Sequence, residues 1–186
     1  MGHHTFDASK ADMLEDAGAR YRYVSREELL WALDLTGAET VADLGSGTGF
    51  FTDDVAPHAG HVYAVDVQAE MHDYYREKGV PEGVEQVTAG VADLPFGADR
   101  LDAAYSTMTY HEFVEDAALA ELRRTLRSGG RLVVADWSAT GSGEMGPSVA
   151  DRYSLDDATI MLQDAGFSVA FAASRPETFL LVAANE

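Results

Sequence analysis

Residues 41–49 read Val-Ala-Asp-Leu-Gly-Ser-Gly-Thr-Gly, a strand-like run that passes directly into three alternate glycines, and the segment 50–56 that follows reads as a short helix. Glycine reaches backbone conformations closed to other residues and removes the β-carbon that keeps a ligand away from the main chain. A strand entering such a turn and then a helix is the opening unit of an open α/β sheet. Such sheets take ligands at the carboxyl ends of their strands, where strand order reverses. The motif thus points to both an architecture and a place for a ligand.

The rest of the chain fits that architecture, because helix-spaced and continuous apolar segments alternate along it. Ser25 and Glu28 have capping-box spacing, and Leu29, Leu30, Leu33 and the terminating Gly37 predict a helix over 26–35. Strands are expected at 40–44, 61–66, 84–88, 101–106 and 131–135, with a helix over 69–78 stopped by Gly79. Val114, Ala118, Leu119, Leu122 and Leu126 keep a 3.6-residue period that is expected to end at Gly129 and Gly130. Residues 138–150, with Gly141, Gly143, Gly146 and Pro147, break the pattern and read as a mobile loop. Ser154 and Asp157 cap another helix, stopped by Gly166, and the strands 167–174 and 178–184 are joined too closely for anything but an antiparallel hairpin. The expected fold is a doubly wound, Rossmann-like, seven-stranded mixed sheet with its last strand antiparallel and helices on both faces.

At 186 residues, 46% hydrophobic and 24% charged, the chain is too apolar for disorder and too short for two ordinary cores, so 1–186 reads as one domain. No apolar run approaches the ~20 residues that span a bilayer, and residues 1–10 lack the basic-then-apolar order of an export signal. No membrane insertion and a cytoplasmic location are therefore expected. The absence of cysteine excludes thiolate nucleophiles, disulfides and cysteine-ligated metals. Nothing else has metal-ligand spacing, and His3 and His4 sit in a terminal stretch expected to be disordered.

The net charge is −19, and the bases are almost all arginine, with only Lys10 and Lys78 as lysines. Such a surface repels itself in dilute buffer but not at molar salt, where the Debye length falls to ~3 Å, which suggests a salt-adapted protein. It also argues against a nucleic-acid partner, whose phosphates demand Lys and Arg. Arg123, Arg124, Arg127 and Arg131 read as the basic end of a helix.

The glycine spacing does not match a dinucleotide fingerprint, since the third glycine comes one residue early and Asp43 lies two residues before the first. A carboxylate there suits a cationic ligand better than a pyrophosphate. Asp66, ending the second strand, stands where a carboxylate accepts hydrogen bonds from ribose hydroxyls.

VADLGSGTGFF, VYAVDVQAEM, VADLPFGADRLDAAYS and LRSGGRLVVADW occur in this order and resemble the motifs of class I S-adenosylmethionine-dependent methyltransferases, of the small type grouped with the ubiquinone/menaquinone-biosynthesis enzymes. FDASKADMLED and the HEF at 111–113 are similar to a stand-alone prokaryotic subgroup. The resemblance implies S-adenosylmethionine as cofactor and S-adenosylhomocysteine as product. It implies that Gly45, Ser46, Gly47, Thr48 and Gly49 line the methionine and ribose portion, that Asp43 faces the ammonium, and that Asp66 holds the ribose. Val67 and Met71 would flank adenine, Asp93 between Ala92 and Leu94 would read its amino group, and Ser106, Thr107 and Met108 would pass beneath the sulfonium.

Methyl transfer is a displacement in which alignment and water exclusion carry much of the rate, so a base is needed chiefly when the acceptor is a hydroxyl. His111 is the histidine placed to serve as one; otherwise it orients substrate or bonds Glu112. Tyr110, Phe113 and Trp137 are candidates for an apolar acceptor wall or for core. The expected partner is a small apolar or aromatic acceptor, with a homodimer left open. The alternatives are a non-catalytic cofactor-binding subunit or sensor, and a nicotinamide-dependent oxidoreductase, which the glycine spacing disfavours. A segment to about residue 36 and the loop 138–150 are expected to cover the site.

Overall fold

The computed structural model describes residues 6–186, so His3 and His4 lie outside the described residues. Seven strands form one sheet: β1 (Thr40–Leu44), β2 (His61–Asp66), β3 (Val84–Thr88), β4 (Leu101–Thr107), β5 (Leu126–Trp137), β6 (Phe167–Ser174) and β7 (Thr178–Asn185). Their spatial order is β3-β2-β1-β4-β5-β7-β6. The first five are parallel, and β7 runs antiparallel to both β5 and β6. The chain moves outward from β1 to β3 and then crosses back to β4, so the reversal of strand order falls between β1 and β4.

The helices are α1 (Ala17–Tyr21), α2 (Arg26–Leu33), α3 (Phe50–Val55), α4 (Ala69–Lys78), α5 (Tyr110–Phe113), α6 (Asp116–Thr125) and α7 (Leu155–Asp164). Successive residues of a strand face opposite sides, and β5 shows why the central strands are continuously apolar. Val133 and Ala135 pack with Leu29, Leu33, Phe51 and Val55 on one face, while Leu132 and Val134 pack with Leu119, Leu122 and Leu162 on the other. Both predicted capping boxes form, with Ser25 accepting from the Glu28 N–H at 3.1 Å and Ser154 from the Asp157 N–H at 3.1 Å. Among the described residues no helix is long and apolar enough to cross a membrane.

Two local expectations are corrected. The helix expected to run to Gly129 ends at Thr125, and both glycines lie inside β5. Pairing of Leu126 with Leu101, and the Arg127 Nε bond of 2.7 Å to Asp102, draw the chain into the sheet before the glycines can stop the helix. The four arginines do not share one helix end: Arg123 and Arg124 close α6, but Arg127 and Arg131 stand on β5. Residues 138–150 are contacted from Arg152, which follows them. The buried Arg152 donates to the carbonyls of Met145, Pro147 and Ser138 and lies 5.3 Å from the Trp137 ring centroid.

Candidate active site

The glycine turn sits at the carboxyl end of β1, at the reversal of strand order, and its shape needs glycine. Gly45, Gly47 and Gly49 have φ of +77°, +54° and +78°. The N–H groups of Gly45 and Ser46 both donate to Val65 O, at 2.8 and 2.9 Å, which ties the turn to β2. An added β-carbon at Gly45 would stand 2.3 Å from Thr109 Cγ2, and one at Gly49 would stand 2.2 Å from the Tyr75 ring. Gly49→Ala is therefore expected to cost about 2–4 kcal/mol, combining left-handed strain with overpacking, read as a lower urea midpoint at unchanged slope.

Two carboxylates organise the turn. Asp66 Oδ2 accepts from the Gly47 N–H at 2.8 Å and Oδ1 from the Gln68 N–H at 2.9 Å, leaving acceptor capacity on each oxygen. Asp43, 1% exposed, accepts from Thr52 Oγ1 at 2.6 Å through Oδ2. Burial pushes its pKa up to about 6 against the pull of Thr52, Tyr105 and Arg20.

Buried polar atoms without a protein partner gather around this turn: Asp43 Oδ1, Ser46 Oγ, Thr48 Oγ1 and Ser106 Oγ. Leaving such groups unbonded costs about 1–3 kcal/mol each. They form a set of acceptors and hydroxyls suited to a ligand with an ammonium and several hydroxyls.

The other anticipated residues fall around this centre in different ways. Val67 is exposed at the end of β2, whereas Met71 on α4 is buried. Ala92 and Asp93 are exposed, in a segment that starts where the Ala89 N–H donates to Asp66 O at 3.1 Å. The Leu94 side chain belongs to the core. Ser106 and Thr107 are buried at the end of β4, and Met108 turns the chain with φ +62°, a conformation costly for a side chain of that size.

Thr109, which packs on Gly45, brings the start of α5 against the glycine turn, and His111 follows two residues on. Its Nδ1 lies 2.9 Å from Asp136 Oδ2, and its backbone N–H donates to the same oxygen at 2.7 Å. Asp136 is 1% exposed at the end of β5, and its Oδ1 accepts from the Trp137 N–H at 2.8 Å. A carboxylate only accepts, so Nδ1 carries the proton and the neutral ring presents Nε2 as a base. Glu112 Oε1 stands further off, 3.9 Å from Nε2. Burial pulls the imidazole pKa down, but the Asp136 hydrogen bond and the charges of Asp136 and Glu112 outweigh it, and the net shift is upward.

Asp136 was not singled out from sequence, although an acid closing an otherwise apolar strand at the ligand-binding edge is a signal that could have found it. Tyr110 is core, its ring against Phe113 and Tyr153 at centroid distances of 5.7 and 6.3 Å. Phe113 is half-buried against that core. Trp137 is half-buried between Tyr23, at 4.7 Å, and the Arg152 guanidinium, beneath Gly146 of the loop after β5.

A family model described as a methyltransferase domain matches residues 42–134, the stretch that contains the glycine turn, Asp66 and His111. The chain belongs to the S-adenosylmethionine-dependent methyltransferases. It is 31% identical over 144 residues to the ubiquinone/menaquinone biosynthesis C-methyltransferase of Vibrio campbellii, covering 70% of this chain and 54% of that one. It thus spans about half the length of the curated relatives it matches. The solved S-adenosylmethionine-dependent methyltransferase of Aquifex aeolicus superposes with a TM-score of 0.87 at 29% identity, covering 96% of this chain and 98% of that one. A Haloferax volcanii methyltransferase, solved in complex with the Trm112 methyltransferase activator, has a TM-score of 0.80 at 21% identity and 96% coverage of both chains, a likeness of fold. The orphaned atoms around the turn, Asp43 Oδ1 and the hydroxyls of Ser46, Thr48 and Ser106, are a set of polar groups that fits a cofactor with an ammonium and hydroxyls.

Proposed function

We propose that this methyltransferase acts on a small apolar or aromatic acceptor carrying an ionisable hydroxyl, and that His111 removes the hydroxyl proton. The carrying observation is the His111–Asp136 pair at 2.9 Å beside the glycine turn. A buried carboxylate that accepts from both the imidazole and the backbone of the same residue fixes the tautomer and ring orientation of a base. A methyltransferase whose acceptor is already deprotonated, such as a carboxylate, needs no such arrangement.

The bound cofactor supplies an electrophilic methyl group on a sulfonium. The protein's part is to hold its two ends, exclude water and deprotonate the acceptor. Asp43, Asp66 and the hydroxyls of Ser46 and Thr48 form the cradle; Ser106 and Thr107 close it from β4. His111 Nε2 takes the hydroxyl proton, and Asp136 stabilises the imidazolium that results. Half-buried Phe113 and Trp137 offer apolar surface to the acceptor, under a loop that Arg152 contacts.

The test is a transfer assay that follows S-adenosylhomocysteine release over a panel of small phenols, hydroxylated quinones, aliphatic amines and carboxylates. Turnover confined to hydroxylated aromatics supports the reading. Preferred transfer to amines or carboxylates overturns the acceptor class, and cofactor binding without turnover on any panel member overturns the catalytic assignment.

A further inference from the structure

We infer that this protein forms a two-fold dimer through the free edge of β6 and the exposed aromatic pair beside it, with a second copy of the chain as the partner.

β6 ends the sheet on one side, and among the described residues nothing pairs with its outer edge. Edge strands are normally guarded by charged side chains, because their open N–H and C=O groups invite another strand. The opposite edge follows that rule: β3 carries an exposed Glu85, with an exposed Glu82 just before it. β6 does not. Phe167–Ser174 holds no charged residue, although 24% of the chain is charged, and its exposed residues are Ser168, Ala170, Phe171, Ala172 and Ser174. Small side chains let a second backbone come close.

Phe171 does not stand alone. A register shift between Val169 and Phe171 turns it to the face that carries α2, where its ring meets Trp31 at a centroid distance of 5.0 Å and an interplanar angle of 77°. Trp31 is nevertheless 60% exposed and Phe171 38%. Contiguous apolar surface beside an open edge marks a contact face, and tryptophan is among the side chains that carry most of the binding energy at such faces.

Charge indicates the occupant. With 32 acids and 13 bases, most of this surface repels a second copy. Around Trp31 that repulsion is cancelled. Glu27 holds Arg26 at 3.8 Å, Glu28 holds Arg175 at 2.5 Å and Asp34 holds Arg131 at 3.3 Å. Each acid on α2 and at its C-cap thus has an arginine of its own, so the patch is neutral where the molecule is not. A basic partner would find more to bind on the acidic faces, whereas a copy of the same chain docks where its own charge is not met.

Strand direction selects the same occupant. β6 runs antiparallel to β7, and its edge is self-complementary under a two-fold axis normal to the sheet. The bulge leaves residues 171–174 as the regular run. An axis at Ala172 sets Phe171 of each copy opposite Ala173 of the other and keeps each face of the sheet with its own kind. The two Trp31–Phe171 pairs then meet on the α2 face.

Sedimentation equilibrium of the full chain, in dilute buffer and in molar potassium chloride, reads the association. The absence of cysteine lets single introduced cysteines report its geometry. Wild type is expected to sediment as a dimer, with an association constant at least about 10-fold higher in molar salt, where the remaining repulsion is screened and the apolar contact is kept. Ala172→Cys is expected to give a disulfide-linked dimer under mild oxidation, and Glu85→Cys on the other edge to give none. Ala172→Asp places two like charges at the axis, and Trp31→Ala removes the aromatic anchor from an exposed helix position that the fold does not need. Each is expected to weaken association about 10-fold or more with an unchanged far-ultraviolet circular dichroism spectrum.

A monomer at every protein concentration in both salts overturns the inference. So does a dimer that cross-links through Glu85→Cys rather than Ala172→Cys, or one that Trp31→Ala leaves as tight as wild type. Association that weakens as salt is raised would mean that ion pairs hold the copies together, and it removes this neutral patch as the interface.

Discussion

His111→Ala lowers the rate of methyl transfer by about 10²- to 10⁴-fold, the usual contribution of a positioned general base, while leaving affinity for S-adenosylhomocysteine unchanged. The split follows from placement. His111 reaches the site through the β4 end and α5, whereas the cradle atoms belong to the β1 turn, Asp66 and the end of β4. Asp136→Asn separates positioning from proton transfer: the amide can present its NH₂ to Nδ1, the neutral ring then carries its proton on Nε2, and turnover falls although the histidine remains. The pH profile provides a second readout. Burial pulls the imidazole pKa down, but Asp136 and Glu112 raise the net value above 6.5, so turnover should climb with pH through a midpoint above the ordinary histidine value. In Asp136→Asn the upward influence of Asp136 is lost and the midpoint of any residual activity moves down. Stability carries the opposite slope. A histidine whose folded pKa is raised stabilises the protein fully below about 6.5, and that contribution is lost as pH rises through the folded value. His111→Ala should flatten this part of the stability curve. Loss of cofactor affinity in His111→Ala would place the residue in the cradle instead.

What could be read from sequence was what is encoded within a few residues. The capping boxes at Ser25 and Ser154, the glycine turn and the hairpin across Arg175, Pro176 and Glu177 are local chemistry, and the structure forms each of them. The positions of Asp43 and Asp66 beside the turn were legible because both are fixed by distance from it along the chain, and the parallel pairing of β1 with β2 brings them to one edge. The Asp136 carboxylate was not, because its role depends on β4 and β5 lying side by side; Thr107 pairs with Ala135, which sets His111 and Asp136 at one edge. Arg152 was missed for the same reason, since the carbonyls and the ring it holds lie elsewhere along the chain. Gly129 and Gly130 show local preference losing to tertiary pairing: glycines that commonly stop helices sit here within a strand zipped to β4.

Asp66→Ala carries the other large effect, a loss of S-adenosylhomocysteine affinity of about 10²- to 10⁴-fold. The estimate takes two hydrogen bonds from ribose hydroxyls to a charged acceptor, at about 1.5–3 kcal/mol each. The structure adds a second source of loss. Asp66 Oδ2 also holds the Gly47 N–H at 2.8 Å, so removing the carboxylate frees the middle of the glycine turn as well as the ribose site. The variant should still fold, because Gly45 and Ser46 remain tied to Val65 O at 2.8 and 2.9 Å, but it should lose stability for both orphaned amides, Gly47 and Gln68, at about 1–3 kcal/mol for each that stays shielded from water. Asp66→Asn distinguishes the two contributions. Its side-chain oxygen can still accept from Gly47 while its NH₂ faces the Gln68 N–H, so stability should be restored only in part, and the lost acceptor leaves one ribose hydroxyl unmatched so that affinity stays low. Calorimetric titration and urea unfolding of both variants measure the two quantities separately. Unchanged affinity in Asp66→Ala would remove Asp66 from the ribose site, and the acid at the end of β2 would then serve only to shape the turn.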